Sequence, residues 1–371
     1  MSQRTRMFDN GVNTATFAAA AVPPPEGWGR TLAVTFDPLD SLDVERPGFG
    51  EPMLTEGGVD VLAVQKRREN WYQDLSRETF VAEFGARIRA YDRVLFYGFS
   101  AGGYAALYFA RPFAAQVLAI SPRLSIHPAY AAHARVQARW GVAFRHAPLA
   151  EGADRTRGVA LLHDPRLSAD RLSADDLRHQ RQEILPAYAA AELLPIPYCG
   201  HYAVQMLKEM RLLKPLVFGY LAAGRLPALP WRARRADSWS RQMLLGLALL
   251  RHRRPALAAR FGERAMALRP RRSESYHLAA QIRRAQGDTA GALEALRAAV
   301  AALPRSVPAR LRLVQALQQE NAGAEAAMLL REGLALLPGQ PRFSQQLEAL
   351  LRQRPAAPFS PAAPPPAPAG R

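Results

Sequence analysis

Cysteine and lysine are scarce in this chain of 371 residues, and several cofactor motifs are missing. The single cysteine, Cys199, excludes an internal disulfide framework and any metal site built from paired cysteines. We interpret it as a small buried apolar residue. The HExxH zinc motif, the phosphate-binding GxxxxGK loop and a GxGxxG fingerprint after a first strand are also absent. We therefore expect neither a metal nor another cofactor.

Long apolar runs are missing as well. No run reaches the roughly 18 residues that a membrane-spanning helix needs. The apolar stretch near the N-terminus, in TATFAAAAV, is too short for a convincing secretory signal. From the sequence we expect a soluble, cytoplasmic protein without a membrane span.

Positive charge is abundant and unevenly distributed. The formal net charge is +17, and arginine supplies nearly all of it. Between Trp231 and Arg354 there are 22 arginines and 9 acidic residues, a net charge of +13, whereas residues 1–230 carry a net charge of +3. The basic character therefore belongs to the C-terminal part, where an acidic partner would bind most readily.

Short apolar runs alternate with helix-like stretches from Thr31 onward, which is typical of a parallel sheet covered on both faces. The runs cover residues 31–36, 59–64, 93–98, 116–121, 158–163 and 193–198. The fold class that we predict is α/β, with a mostly parallel sheet of about six or more strands and helices on both faces. An all-α helical repeat domain follows it.

Changes in composition along the chain suggest five segments. They are an N-terminal segment (1–30), the α/β domain (31–225), a linker rich in proline and arginine (226–236), the helical repeats (237–353) and a Pro/Ala-rich tail expected to be disordered (354–371).

Three prolines recur at a spacing of 34 residues in the helical part, at Pro270, Pro304 and Pro338. Small residues keep the same register, at Ala258, Ala292 and Ala326 and again at Ala265, Ala299 and Gly333. A period of 34 is the tetratricopeptide signature, and the segment resembles a short array of about three such repeats. Gln242 and Arg310 depart from the pattern, since they stand where the family often has a large aromatic residue. A generic array of helical hairpins stays open.

The segment Gly98–Gly102 reads G-x-S-x-G, with an apolar strand before it and a helix-like stretch after it. Glycines on both sides let the chain turn sharply from strand to helix, so that the hydroxyl of Ser100 stands free at the sheet edge. The N–H of Ala101, at the helix N-terminus, is the first candidate donor to an oxyanion. A tight turn with a capping serine is the structural alternative.

A serine nucleophile needs a base and a group that orients the base. In the order expected for this fold, Asp164 follows one strand directly and His201 follows the next. We predict that His201 takes the proton of Ser100 and that Asp164 orients the imidazole. Asp170, Asp175 and Asp176 lie close to Asp164 and are competing candidates for the acid, and a purely structural His201 is the alternative for the base.

Other site residues are predicted from the ends of the first two strands. Because Pro38 has no N–H, Asp37 or Leu39 is the expected second oxyanion donor. Trp71 and Tyr72 follow the second strand, and with Phe99 they are weak candidates for lining the substrate pocket. Core packing explains Trp71 and Tyr72 equally well.

Residues 31 to about 220 resemble the α/β-hydrolase superfamily. The resemblance is carried by the order of the strands, the G-x-S-x-G turn and the order of the three triad residues. The phrases YGFSAGGYAAL, AISPRLSIHP and RENWYQ are similar to a bacterial group of this superfamily found beside surface polysaccharide functions. The resemblance implies acyl-ester chemistry on a glycan or a related polar substrate, acetyl transfer included.

Two functions from different classes follow. The first is a serine hydrolase or acyltransferase, in the broad sense an esterase, that forms an acyl-enzyme on Ser100 and passes the acyl group to water or to an acceptor. The second is an inactive hydrolase-fold scaffold whose repeats bind a protein or an acidic partner. The repeats lack aromatic residues interleaved with basic ones, which argues against nucleic acid.

Overall fold

The computed structural model describes residues 4–124, 126–129, 133–166 and 178–352. Asp170, Asp175 and Asp176 and the tail at 354–371 lie outside these ranges. The chain divides into two compact units, Met1–His252 and Arg253–Arg371. Within the described residues, no helix is both long enough and apolar enough to cross a bilayer.

The first unit is built on one sheet of eight strands in the order β1-β2-β4-β3-β5-β6-β7-β8. From β3 to β8 the neighbouring strands are parallel, as the apolar runs predicted. The strands are β1 (Arg4–Asp9), β2 (Asn13–Ala18), β3 (Thr31–Phe36), β4 (Asp60–Lys66), β5 (Arg93–Phe99), β6 (Gln116–Ile120), β7 (Gly158–His163) and β8 (Glu192–Pro195).

Helices cover both faces of this sheet and bury two apolar clusters. In α2, Ser76 caps the first turn by accepting from the N–H of Thr79, and Phe80, Phe84 and Ile88 follow at a spacing of four that puts one apolar stripe on the sheet. The described helices are α1 (Glu51–Thr55), α2 (Arg77–Arg89), α3 (Ala101–Ala110), α4 (His133–Trp140), α5 (Leu185–Ala187), α6 (Ala203–Glu209), α7 (Leu213–Ala223), α8 (Trp231–Arg234) and α9 (Trp239–Arg251).

The N-terminal segment contributes a feature that the apolar runs did not predict. Strands β1 and β2 pair as an antiparallel hairpin, and β2 pairs antiparallel with β4. Both strands are short and contain threonine or arginine at alternate positions, so neither forms an apolar run. The hairpin extends the predicted sheet at one edge, and the predicted fold class is confirmed.

The region that joins the two predicted domains packs against the first unit. Leu226, Leu229 and Trp231 contact the apolar cluster under α7. Glu209 on α6 accepts hydrogen bonds from the hydroxyl of Ser238 at 2.7 Å and from the N–H of Ser240 at 2.9 Å, which fixes the start of α9. These polar contacts hold α9 in the first unit.

The second unit is formed by consecutive helices with short connections. They are α10 (Pro255–Leu268), α11 (Ser273–Ala285), α12 (Thr289–Ala302), α13 (Val307–Gln319), α14 (Gly323–Leu336) and α15 (Pro341–Arg352). The six small residues that recur at a spacing of 34 are all buried, as expected for sites where helices approach closely.

Gly333 on α14 shows why one of these positions must be small. A Cβ atom there would lie 2.6 Å from Cδ of Arg310 and 2.9 Å from Cε2 of Phe343. Arg310 is not free to move aside, because its buried guanidinium donates to the carbonyl oxygens of Leu329 at 2.9 Å and Pro304 at 3.2 Å. Arg310, at a position where the family often has an aromatic residue, thus connects α14 with the loop before α13.

We predict that Gly333→Ala lowers the free energy of unfolding by about 1–3 kcal/mol, because the added methyl group overpacks the contact with Arg310 and Phe343. Gly323→Ala on the same helix is the matched control, since its Cβ would lie 3.8 Å from the nearest side chain. Urea denaturation of the full chain, followed by circular dichroism, measures both. Equal stability of the two variants would contradict the packing described for α14.

Candidate active site

Ser100 occupies the turn between β5 and α3, in a backbone conformation that non-glycine residues rarely adopt. Its φ is 60° and its ψ is −125°. Its N–H donates to the carbonyl oxygen of Ile120 at 3.0 Å, and its own carbonyl oxygen accepts from the N–H of Arg123 at 3.0 Å. Strain of this kind persists only where surrounding contacts hold it.

Two glycines make the turn sterically feasible. A Cβ atom on Gly98 would lie 2.1 Å from the carbonyl oxygen of Gly102, and one on Gly102 would lie 2.1 Å from the carbonyl oxygen of Phe36. Because these neighbours are backbone atoms, they cannot rotate away as a side chain does. The G-x-S-x-G spacing therefore reflects close approach of α3 to the ends of β5 and β3.

His201 lies on the loop between β8 and α6, and the structure brings it to Ser100. Its Nε2 atom is 2.9 Å from Oγ of Ser100, a hydrogen-bond distance. The imidazole also packs on Phe99, with ring centroids 4.7 Å apart. Phe99, a predicted pocket residue, thus lies directly beside the base.

Burial, and after it the charge of Arg123, lower the pKa of His201 from its ordinary value to about 3. A buried imidazole loses hydration of its charged form, and a nearby guanidinium disfavours a second positive charge. The ring is therefore neutral at pH 7. For Nε2 to accept the serine proton, the ring proton has to reside on Nδ1.

Asp164 follows β7 and lies beneath the loop that carries His201. Among the described residues, its carboxylate accepts three hydrogen bonds from backbone N–H groups, those of Arg166 at 2.9 Å, Tyr198 at 3.0 Å and Gly200 at 2.8 Å. None of these is with the imidazole of His201. Burial raises the pKa of Asp164 even though the three N–H donors oppose the shift. The carboxylate fixes the backbone directly before His201.

The predicted oxyanion donors differ in whether their N–H groups already donate a hydrogen bond within the protein. The N–H of Asp37 donates to the carbonyl oxygen of Val64 at 3.5 Å. Within the described residues, no hydrogen bond uses the N–H of Ala101 or of Leu39. Since Phe36 pairs with Gly98 in the sheet, the loop after β3 runs beside the Ser100 turn. Ala101 and Leu39 are thus the two predicted donors that remain available.

The two predicted pocket aromatics after β4 are fully buried. Trp71 packs edge to face on Trp140, with ring centroids 5.2 Å apart. The hydroxyl of Tyr72 donates to the carbonyl oxygen of Asp37 at 2.8 Å, and its ring packs on Phe36. Both side chains belong to the core, and Tyr72 also anchors the loop after β3.

Sequence reasoning missed a buried polar cluster behind that loop. Gln65 and Lys66 end β4, and Glu69 follows. The carboxylate of Asp37 accepts from Gln65 at 3.1 Å, and Lys66 pairs with Glu69 at 3.4 Å. The available signal was a change from apolar to polar residues at the carboxyl end of a buried strand. Within the described residues, no group of three or more His, Cys, Asp or Glu side chains is arranged to hold a metal ion.

Comparisons with known proteins match parts of the chain. Residues 283–351 match the family model of the tetratricopeptide repeat, which confirms the repeat interpretation for that range. No curated protein matches the chain. The Yersinia enterocolitica type III secretion translocator chaperone SycD is similar at 18% identity, over 32% of this chain and 86% of its own, with a TM-score of 0.26.

Two esterases are also similar to part of the chain. Est1E from Butyrivibrio proteoclasticus is 14% identical over 60% of this chain and 100% of its own, with a TM-score of 0.36. Est2 from the planctomycete Thermogutta terrifontis is 15% identical over 62% of this chain and 95% of its own, with a TM-score of 0.39.

We predict that His201 stays neutral throughout the range from pH 5 to pH 8, because its pKa of about 3 lies below that range. Side-chain ¹H–¹⁵N correlation spectra, with His201→Gln to assign the resonance, measure the titration. Because the pKa is lowered only in the folded state, the unfolded chain takes up the imidazole proton first as the pH falls below the ordinary pKa near 6.5. The free energy of unfolding is therefore expected to decrease between about pH 6.5 and pH 3. A midpoint between pH 6 and pH 7.5 would contradict the burial described.

Proposed function

We propose that the first unit is a serine hydrolase or acyltransferase that acts on an ester. The observation that carries the proposal is the 2.9 Å contact between Ser100 Oγ and His201 Nε2 at a strained strand-to-helix turn. A nucleophile and a base within hydrogen-bond reach are what covalent catalysis by serine requires. The neutral state of His201 at pH 7 supports the same role.

In the proposed reaction, Oγ of Ser100 bonds to the ester carbonyl carbon while His201 Nε2 takes the hydroxyl proton. The carbonyl π electrons move onto oxygen and form the tetrahedral intermediate. Its collapse breaks the bond to the alkoxide, which takes the proton from His201 as it leaves. Water or an acceptor hydroxyl then attacks the acyl-enzyme by the same steps and frees Ser100.

The N–H groups of Ala101 and Leu39 are the proposed oxyanion donors. Ala101 begins α3, so its N–H lies at the positive end of the helix. Donors held in place before the reaction stabilise the developing charge without further reorganisation. Asp37 is the weaker candidate, because its N–H points toward Val64.

Asp164 is proposed to act through the loop that it holds. Two of its hydrogen bonds, from the N–H groups of Tyr198 and Gly200, restrict the residues that directly precede His201. A base that is fixed in position takes the proton in the productive geometry more often. In this proposal Asp164 is therefore a positioning residue of the Ser-His-Asp set.

The substrate class implied by the family resemblance is an acyl ester on a glycan or another polar molecule, with acetyl esters the first to test. Acetylated oligosaccharides and short p-nitrophenyl esters are suitable probes. An added acceptor sugar separates transfer from hydrolysis, because transfer yields an acylated sugar where hydrolysis yields only free acid.

We predict that a fluorophosphonate probe labels the protein and that Ser100→Ala abolishes both labelling and ester hydrolysis. Loss of the nucleophile removes about 10⁴-fold or more of the rate. Ser121→Ala is the matched control, since Ser121 directly follows the neighbouring strand β6 and is also buried, with a positive φ of 43°. Intact-protein mass spectrometry and a p-nitrophenyl acetate assay measure the two effects.

Absence of labelling and of turnover in correctly folded wild type would contradict the enzyme proposal. It would favour the alternative function, an inactive hydrolase-fold scaffold whose repeats recruit a partner. Unchanged labelling of Ser100→Ala would instead show that another residue is the nucleophile.

Besides the proposed activity of the first unit, a groove in the second unit favours a binding function for the repeats. A cavity of about 320 Å³ lies among α11, α12 and α13, and its basic side chains are Arg284 and Arg312. Burial and the charge of Arg312 lower the pKa of His277, which also lines this cavity, to about 4. No carboxylate is among the lining residues, although Arg284 pairs with Glu320 at 3.1 Å beside the groove. Arg312 and this shared arginine suit an acidic protein segment that would compete with Glu320 for Arg284.

We predict that a fluorescein-labelled Glu/Ala peptide binds the full chain and that the double variant Arg284→Met, Arg312→Met weakens its binding by about tenfold, or 1.4 kcal/mol. Fluorescence anisotropy at low salt measures the Kd. Arg297→Met is the control, because Arg297 pairs with Glu325 outside the groove. An equal loss of affinity in the control would point to unspecific attraction by the +13 net charge.

A further inference from the structure

A fully buried lysine ends β4, and the proposed mechanism assigns it no task. The side chain of Lys66 is 0% exposed, and that of Glu69, its ion-pair partner at 3.4 Å, is 1% exposed. Buried charges lose hydration that their mutual attraction does not always offset. Burial accordingly lowers the pKa of Lys66 and raises the pKa of Glu69. Such a pair is a candidate for a function besides stability.

The ammonium group of Lys66 binds the loop that follows β3. Nζ donates to the carbonyl oxygen of Pro38 at 2.5 Å and to that of Ser41 at 3.4 Å. Oε1 of Glu69 accepts from the N–H of Asp40. The pair therefore holds the loop from two directions, through its carbonyl oxygens and through an N–H.

The contact with Pro38 determines where the next N–H points. The carbonyl group of Pro38 and the N–H of Leu39 belong to the same peptide unit, which is planar and trans. In a trans peptide the two groups point in opposite directions. Because Lys66 holds the carbonyl oxygen toward the buried cluster, the N–H of Leu39 is directed away from it.

The loop also lies against the nucleophile turn. The carbonyl oxygens of Phe36 and Asp37 lie 2.1 Å and 3.0 Å from the position that a Cβ atom on Gly102 would take. The hydroxyl of Tyr72 fixes the carbonyl of Asp37 at 2.8 Å, so the peptide before Pro38 is anchored as well. Rotation of the Pro38–Leu39 peptide is the freedom that Lys66 removes.

We propose that Lys66, held by Glu69, is a positioning residue that directs the N–H of Leu39 toward the oxyanion formed at Ser100. The inference rests on the proposed function of the first unit. Lys66 touches neither substrate nor the reacting atoms in this account. Its effect passes through one peptide group.

The test compares Lys66→Met, which has similar length and no charge, with Lys214→Met, an exposed lysine on α7. With p-nitrophenyl acetate we expect Lys66→Met to lower kcat by about 10- to 100-fold, less than the roughly 10²- to 10³-fold loss from deleting an oxyanion donor. KM should change by no more than about twofold, since the ground-state ester gains little from the donor. The rate of inactivation by a fluorophosphonate should fall in parallel with kcat.

Active-site titration separates positioning from stability. Leu216→Ala, a fully buried residue of α7, is the control for lowered stability. An unchanged kcat per titrated site in Lys66→Met, with only a lower Tm, would overturn the proposal. If wild type itself neither reacts with the probe nor hydrolyses the ester, the proposed function fails instead, and the two failures are thereby distinguished.

Lys66→Met leaves Glu69 buried without its partner, so the variant is expected to be less stable. The double variant Lys66→Met, Glu69→Gln removes both charges and is measured in the same way. A measurement on wild type completes the test: on phosphonylation of Ser100, the amide proton resonance of Leu39 should move downfield together with that of Ala101. A Leu39 resonance that does not move would overturn the proposal.

Discussion

The backbone of Ser100 is the constraint on which the candidate site depends. With φ at 60° and ψ at −125°, the serine lies outside the regions that side chains favour. The conformation is maintained by hydrogen bonds to Ile120 and Arg123 and by the two glycines that let α3 contact the ends of β3 and β5. One strained residue thus fixes the hydroxyl, the helix N-terminus and the neighbouring loop together.

Buried polar groups hold in place the two loops that face this turn. Asp164 holds the loop before His201 through the backbone N–H groups of Tyr198 and Gly200. Lys66, Glu69 and Tyr72 hold the loop after β3 through its carbonyl oxygens and one N–H. Unpaired, such groups would destabilise the interior, and each of the four forms a hydrogen bond with the backbone that it fixes. Among the described residues, Oε2 of Glu69 is left without a hydrogen-bond partner. Rigid loops around a strained serine suit a reaction whose charge develops at one oxygen.

Much of this arrangement was predictable from local sequence patterns. Apolar runs predicted the six parallel strands, and the G-x-S-x-G segment predicted the turn at Ser100, because both depend on residues adjacent in the chain. The antiparallel hairpin β1–β2 was missed, since polar residues interrupt both strands and neither forms an apolar run. The contacts of Lys66 and Asp164 were missed because they join segments 28 to 36 residues apart. No periodicity records such contacts.

The most direct test of the account is the structure of the protein after reaction with a fluorophosphonate, whose phosphoryl oxygen stands in for the oxyanion. We predict a covalent bond from Oγ of Ser100 to phosphorus, with the phosphoryl oxygen about 2.7–3.1 Å from the N–H groups of Ala101 and Leu39. A phosphoryl oxygen directed to solvent, or an adduct on a residue other than Ser100, would contradict it.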